Sequence, residues 1–323
     1  MDSKKAGKIL VVLLTVLVLT ACSAQPTATV APTEEPAAPA ATVAVVEEAT
    51  TAPAEPTAET AAAGEAAADG MYDEGCLGSA DTAIVDLECR KITIAVENAY
   101  LPFNYISLET GEPGGWDYEV WPEVCTRLHC EPVFVEAAWD GMIQAVSEGQ
   151  FDAAGDGITI TDDRKEIVDF SIGYIKIQQR LLVRKGETRF ASIEDFVADS
   201  GLVLGTQVST TNYETAVEYL PEDRIKAFEQ MPFAVQALIA GDVDAVIMDE
   251  IVGMGYQGEN ADQLELVGPS ISSDELGFVY PMGSDLKAPV DQALQSMMDD
   301  GTLTKINEKY FGTSFDITYD DIQ

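Results

Sequence analysis

Hydrophobic and polar positions divide this chain into zones of different period. Lys4, Lys5 and Lys8 precede an apolar run from Ile9 to Leu19 that only Thr15 interrupts, and Thr20, Ala21 and Cys22 follow. A spanning helix needs about 20 apolar residues. A shorter run behind a basic start, with small residues after it, has the pattern of a secretory signal over 1–21. No later stretch approaches that length, which predicts no further membrane span. Residues 22–75 are, after Cys22, mostly Ala, Pro, Thr and Glu, without Lys or Arg and with almost no large apolar side chain. Such a stretch cannot bury enough surface to offset its ordering entropy, so it is expected to be a disordered, extended tether.

Beyond an N-terminal extension at 76–89 the period changes again. Short β-branched runs alternate with amphipathic stretches. Ile92–Val96, Pro132–Val135, Leu181–Arg184, Leu202–Gly205, Ala245–Met248 and Leu276–Tyr280 read as strands. Pro289–Asp300 places Val290, Ala293, Leu294 and Met297 on one helical face. Pro232 opens another helix and Gly241 closes it. The alternation predicts an α/β fold with largely parallel sheets.

One pattern occurs twice. Ala145-x₃-Gly149-x₂-Asp152-Ala153 recurs as Ala237-x₃-Gly241-x₂-Asp244-Ala245. Each copy reads as a helix end, a tight turn and a buried strand, with an acid after the strand: Asp156 in one, Asp249 in the other. Ligands of open α/β sheets bind beyond the carboxyl ends of strands. Two such units predict two similar lobes facing one cleft. Gly253-x-Gly255-x₂-Gly258 has the spacing of a dinucleotide fingerprint but sits where a helix should follow Asp249, far from the start of any βαβ unit, and is discounted.

Charge and cysteine usage narrow the function. The formal net charge is −38, and loss of 1–21 removes Lys4, Lys5, Lys8 and Asp2, a net two positive charges, leaving −40. Nucleic acid and anionic membrane surfaces are disfavoured as partners. Four cysteines remain beside Cys22, and outside the cytoplasm they should pair. Cys76 with Cys89 and Cys125 with Cys130 are the near-neighbour solutions. A zinc reading of Cys125-x₃-His129-Cys130 supplies too few ligands. His129 is the single histidine of the chain, which disfavours Ser-His-Asp and Cys-His enzymes. No metal and no cofactor is expected.

Leu19-Thr20-Ala21-Cys22 resembles the lipobox of bacterial lipoproteins, which implies cleavage before Cys22 and acylation of its thiol. The stretch from Asp156 to Ser171, DGITITDDRKEIVDFS, closely resembles the signature of family 3 extracellular solute-binding proteins, the polar amino-acid receptors of ABC importers. Tyr100-Leu101-Pro102-Phe103, Gly115-Trp116-Asp117, Ser209-Thr210-Thr211-Asn212, Asp300-Gly301-Thr302-Leu303 and Lys309-Tyr310-Phe311-Gly312 are weaker matches to the same family. The resemblance covers roughly 90–315. Ser209 departs from it, standing where Gly is usual, and Asp156 stands where a small residue is common.

The chemistry of these positions suits an α-amino acid. Arg164 offers a planar fork for a carboxylate. Thr210 and Thr211 lie where the family places a helix N-terminus, which suits an anion. Asp249, the Gly157 carbonyl and the Thr159 hydroxyl can take the three ammonium protons. Tyr100 and Trp139 supply aromatic walls, and Gln207 precedes the anion turn. Glu97 and Asp156 add negative charge that a cationic side chain would balance. Read without the signature, Arg164 would be a surface cation and Asp249 a helix N-cap.

The resemblance implies a type II periplasmic-binding-protein fold: two three-layer α/β lobes joined by two hinge strands. Lobe 1 would comprise 90–182 plus 280–315, lobe 2 would comprise 183–279, and 316–323 would be a C-terminal tail. The crossings are expected near Val183–Lys185 and Gly277–Tyr280. The implied protein is a monomeric, lipid-anchored receptor on the cell surface or in the periplasm. It is not an enzyme and delivers an amino acid to ABC permease subunits. Rival readings are a sensor domain for a membrane signalling partner, a cyclohexadienyl-dehydratase-like lyase, and an adhesin on the same fold.

Overall fold

The computed structural model describes Tyr72–Asp73, residues 75–312, 315, 317 and 321–322. The expected signal, Cys22 and nearly all of the tether lie outside these residues. Among the described residues no helix is long and apolar enough to cross a membrane.

The chain forms two α/β lobes around two separate sheets. In the first sheet the strand order is 72–73, 130–136, 90–96, 153–154, 279–281, 168–170. Arg90–Val96 runs parallel to both Cys130–Glu136 and Ala153–Ala154. The 13-residue helix Trp116–Leu128 makes the crossover, burying Trp116, Val120, Trp121, Val124 and Leu128 on one face. In the second sheet the order is 225–228, 204–207, 245–249, 175–184, 264–276. Its first three strands are parallel; Ile175–Arg184 is antiparallel to both its neighbours. The sheets are therefore mixed rather than largely parallel, because the strands that carry the chain between lobes return in the opposite sense. A small antiparallel third sheet, 99–100, 104–106 and 113–114, also belongs to lobe 1.

The crossings differ from the expected positions. Ile175–Arg184 lies wholly in the second sheet, so the first crossing runs through Ser171–Tyr174 and not near Val183–Lys185, and lobe 2 begins about eight residues earlier than 183. The outer half of this strand was hidden because it alternates Ile-Lys-Ile-Gln, with Gln179 fully buried. The second crossing breaks the strand expected over Leu276–Tyr280: Leu264–Leu276 ends in the second sheet and Val279–Pro281 starts in the first. Gly277 marks the break. A Cβ there would lie 2.9 Å from Ile160 Cδ1. The two crossings are stitched side by side: Ser171 N–H donates to Phe278 O, Tyr174 N–H to Leu276 O, and Phe278 N–H to Ser171 Oγ.

Two terminal segments are better ordered than composition predicts. Tyr72–Asp73, placed by composition in the tether, pairs antiparallel with Phe134 and Val133 at the sheet edge. Ile322, placed in a tail, bridges Ser107 and is buried against Leu101 and Tyr105. The C-terminal helices Lys287–Asp299 and Thr302–Phe311 pack on Trp116–Leu128 in lobe 1. Arg127 meets Ser296, Thr302 and Asp300, and the Trp116 indole N–H donates to Asn307. Disulfides join Cys76 to Cys89 and Cys125 to Cys130.

Candidate functional site

A cavity lies between the lobes. Its lining holds all eleven residues singled out from the sequence, Glu97, Tyr100, Trp139, Asp156, Gly157, Thr159, Arg164, Gln207, Thr210, Thr211 and Asp249, together with Asn212. Lobe 1 supplies the residues up to Arg164 and lobe 2 the rest. Among the lining residues Arg164 is the one basic side chain.

Arg164 opens a short 3-10 turn, Arg164–Glu166, inside the signature segment. Its side chain turns inward rather than toward solvent: the residue is only 8% exposed. Nη1 donates to the Thr159 carbonyl at 2.9 Å, and the guanidinium lies 5.6 Å from the Trp139 ring centroid. Burial lowers its pKa, partly offset by Glu214, Asp249 and Asp274. Opposite it, the helix Thr211–Tyr219 starts at the cavity with Thr210 as its N-cap, the hydroxyl accepting Tyr213 N–H at 3.1 Å. The preceding Ser209 has φ 58°, which explains the family's preference for Gly there. Here a serine bears the left-handed conformation, and its hydroxyl donates to Asp140 of lobe 1 at 2.7 Å.

Asp249 ends the buried strand Ala245–Asp249 and occupies the N-cap position of the helix Glu250–Glu259. It makes no capping bond. Its Oδ2 instead accepts the Tyr100 hydroxyl across the cavity at 2.6 Å, while Oδ1 is buried without a partner among the described residues. Burial raises its pKa to about 6, against the pull of Tyr100, Asn212 and Arg164. The discounted glycine triplet lies within the helix that follows, where Gly253 lets it approach Leu266.

A second acidic group occupies the lobe 1 side. Asp156 Oδ1 accepts Asn104 Nδ2 at 2.6 Å, and the same amide reaches Asp117 Oδ2 at 2.9 Å. Glu97 accepts the Gln207 amide at 3.1 Å from the facing lobe. Burial and the neighbouring Asp156 push Glu97 well above the ordinary carboxylate range, and burial does the same for Asp156 and Asp117. At neutral pH this group holds fewer charges than it has carboxyls. Gly157 follows with φ 59°, and a Cβ there would lie 3.0 Å from the Tyr100 ring. Thr159 Oγ1 is 3.3 Å from Thr211 Oγ1, whose other neighbour is the Gln179 amide at 3.2 Å.

Asn212, Asn104, Asp117 and Gln179 were not among the residues singled out from the sequence. Asn212 had a signal, since it completes the Ser209-Thr210-Thr211-Asn212 turn. Asp117 had one too, as the end of the Gly115-Trp116-Asp117 match, while Asn104 and Gln179 act through partners remote in the chain.

Two lobes on separate sheets, joined by paired crossings over a polar cavity, define the type II periplasmic-binding-protein class. Residues 92–313 match the family model for bacterial extracellular solute-binding proteins, family 3, and the chain belongs to that family. It is 28% identical over 247 residues to the L-cystine-binding protein TcyJ of Escherichia coli strain K12, covering 74% of this chain and 87% of that one. The arginine-, lysine-, histidine-binding protein ArtJ of Geobacillus stearothermophilus is 31% identical, with a TM-score of 0.63 over 69% of this chain and 96% of that one. An ancestral amino acid-binding protein, a precursor of cyclohexadienyl dehydratase, is also 31% identical, with a TM-score of 0.64 over 68% of this chain and 95% of that one.

Proposed function

We propose that this protein is an extracytoplasmic, lipid-anchored receptor that encloses one amino acid between its lobes and delivers it to an ABC importer. The observation that carries the reading is the division of charge in the cavity. Arg164 and the start of the helix Thr211–Tyr219 form a carboxylate site. Asp249 presents an unpartnered buried oxygen suited to an ammonium. Glu97 and Asp156 lie on the same wall with amides, not cations, as partners. A lysine-, arginine- or ornithine-like side chain would supply the positive charge that wall lacks, with Tyr100 and Trp139 beside it. ArtJ, by its name, binds arginine, lysine and histidine, and TcyJ binds L-cystine, which supports an amino acid as the ligand. A ligand touching both lobes stabilises the closed form, which would then dock on the permease.

A thermal-shift panel of the twenty amino acids plus ornithine tests this. Arginine, lysine or ornithine should give the largest stabilisation. Stabilisation by glutamate or aspartate alone would overturn the cationic preference, and no response to any amino acid, with native mass spectrometry finding none retained, would overturn the receptor reading. Anchoring is tested separately: Cys22→Ala should move the mature protein from the membrane fraction to the soluble one.

A second reading rests on the raised pKa values of Glu97 and Asp156 and on the dehydratase precursor among the relatives. A carboxyl poised near neutrality can act as general acid or base. Turnover of arogenate or prephenate would establish that activity, and its absence at high enzyme concentration would remove it.

A further inference from the structure

The extension 76–89 lies outside the family match, 92–313, and away from the cavity. It straps the carboxyl end of the helix Trp116–Leu128. N–H groups of Ile84, Leu87 and Cys89 donate to the carbonyls of Arg127, Leu128 and His129 at 2.8, 2.9 and 2.9 Å, satisfying groups a helix end leaves bare. Glu88, Cys89 and His129 all take left-handed backbone conformations, with φ of 54°, 60° and 53°. These uncommon non-glycine positions bring the imidazole against the disulfide.

The contacts there line up a carboxylate, an imidazole and a disulfide sulfur. His129 Nε2 is 3.0 Å from Cys89 Sγ. Its Nδ1 is 2.8 Å from Asp86 Oδ1, which also accepts the Glu88 N–H at 2.8 Å. Asp86 is placed to accept a proton from Nδ1, which leaves Nε2 facing the sulfur. Cys76, the other half of the bridge, is exposed, while Cys89 and His129 are partly buried. Access and leaving-group assistance therefore fall on opposite sulfurs.

We propose that Cys76–Cys89 is a directional thiol–disulfide exchange site whose partner is a low-molecular-weight thiol or a protein dithiol outside the cytoplasm. The incoming thiolate attacks Cys76 Sγ, the Cys76–Cys89 bond breaks, and the electron pair leaves on Cys89. His129 Nε2–H, present in the imidazolium form, protonates that sulfur. The products are a mixed disulfide on Cys76, a thiol on Cys89 and a neutral imidazole. In the return step His129 takes the Cys89 proton, Cys89 thiolate attacks Cys76 Sγ, and the incoming thiol is expelled as thiolate. A second equivalent of thiol attacking the mixed disulfide instead yields the oxidised thiol dimer and the reduced cysteine pair. A better leaving thiol leaves faster, and that is what His129 provides. Cys125–Cys130 is the internal control: both its cysteines are fully buried, beyond reach of a thiolate.

The test uses the full chain, limiting glutathione, rapid alkylation and peptide mapping without reduction. In the wild type, glutathione should be found on Cys76, alkylated thiol on Cys89, and Cys125–Cys130 intact. Glutathione mainly on Cys89, or opening no faster than at Cys125–Cys130, overturns the proposal without recourse to any variant. His129→Gln should slow opening about a hundredfold or more, the lower end of the range of general acid catalysis, at unchanged circular dichroism; an unchanged rate in the folded variant also overturns it. Asp86 is a positioning residue. Asp86→Asn should slow opening less and should change the imidazole tautomer, read from the ¹⁵N shifts of the chain's single histidine. A reduced rate without a tautomer change would assign Asp86 a merely structural role and overturn its part in the relay.

Discussion

Asp152 and Asp244 stand at the same place in the repeated pattern and perform the same task. Asp152 Oδ2 accepts the Thr93 N–H at 2.9 Å and meets Arg90; Asp244 Oδ2 accepts the Val203 N–H at 2.9 Å and meets Arg184 and Arg189. Each pins its strand to a neighbouring one beyond the left-handed turn at Gly149 or Gly241. Four or five residues later the copies part. In lobe 2 the strand runs five residues and ends at Asp249, which reaches across to Tyr100 and faces an arginine. In lobe 1 the strand lasts two residues and the chain leaves it for Asp156, enclosed by Asn104, Asp117 and Glu97 with no cation. The repeat builds equivalent scaffolds, and segments remote in the chain decide the charge each acid can hold. That difference turns two similar lobes into a cavity with dissimilar ends.

The largest effects should come from the end that holds both Arg164 and Asp249. Arg164→Ala and Asp249→Asn should each weaken binding of the cognate amino acid by about 2–5 kcal/mol, which is 30-fold or more. Asp156→Asn should discriminate by ligand, weakening cationic amino acids and sparing neutral ones. Calorimetry on the folded variants checks both. A change below threefold for Arg164→Ala would remove the carboxylate assignment, and equal losses for every ligand in Asp156→Asn would erase the contrast between the two ends.

Proton linkage should be nearly as large. Glu97, Asp156, Asp117 and Asp249 all titrate above the ordinary carboxylate range, with burial the leading cause in each. An acid with a higher pKa folded than unfolded binds more protons when folded. Its contribution is fully present below the unfolded value near 4, and is lost as pH rises through the folded one. Each retained proton amounts to about 1.4 kcal/mol per pH unit. One proton held by the Glu97–Asp156 pair between about pH 5 and 7 makes the ligand-free protein about 3 kcal/mol less stable at the upper end. Glu187 and Asp300 shift the other way, to about 2, so their contributions are lost only in acid, below this window. Urea titrations at pH 5, 6 and 7 decide the matter; stability that rises with pH would contradict the assigned burial. Saturating arginine should flatten the slope by ionising the pair.

Removing the shared scaffold should cost less and should leave the ligand alone. Asp152→Ala and Asp244→Ala each strip a backbone N–H of its acceptor, a loss of about 1–3 kcal/mol of stability. The side chain of Asp244 is 19% exposed and that of Asp152 is 32% exposed, so the lobe 2 change should be the larger. Denaturant midpoints measure it. An affinity loss from Asp244→Ala matching that of Asp249→Asn would show that staple and site are not separable.

The legible parts of this molecule are those in which local pattern and final role coincide. The Ala245–Asp249 strand, the Met231–Ala240 helix with Pro near its start and Gly241 at its end, and the amphipathic Lys287–Asp299 helix follow from period and punctuation. The signature segment carried Arg164, Gly157 and Thr159, and the echo pointed to Asp156 and Asp249. What stayed hidden depends on distant partners. Asn104 is a fully buried polar residue whose purpose exists only once its amide bridges Asp117 and Asp156. Gln179 disguised the start of a long strand as a polar stretch. Tyr72–Asp73 follows a tether-like composition and is ordered by the edge of a sheet that the rest of the chain builds.

The smallest predicted effect concerns the bond that ties the two ends together. The Tyr100 hydroxyl donates from lobe 1 to Asp249 of lobe 2, so it exists only while the lobes are closed. Its ring stacks on Phe103 at 5.6 Å and 12°, a contact that Phe would keep. Tyr100→Phe thus removes one hydroxyl and little packing. Two consequences oppose each other. Asp249 Oδ2 loses a donor that lowers its pKa, which would weaken the carboxylate as the proposed partner of an ammonium. The same oxygen becomes available to the ligand. The closed state also loses a cross-lobe bond that the ligand does not make, and a shift toward the open form reduces apparent affinity by the fraction lost. The net result should be a loss of about 0.5–1.5 kcal/mol, roughly two- to tenfold in affinity. Small-angle scattering of the ligand-free variant should show a larger radius of gyration than wild type, with the two equal once ligand is saturating. An unchanged radius together with an unchanged affinity would mean that the hydroxyl does not couple closure to the ammonium end.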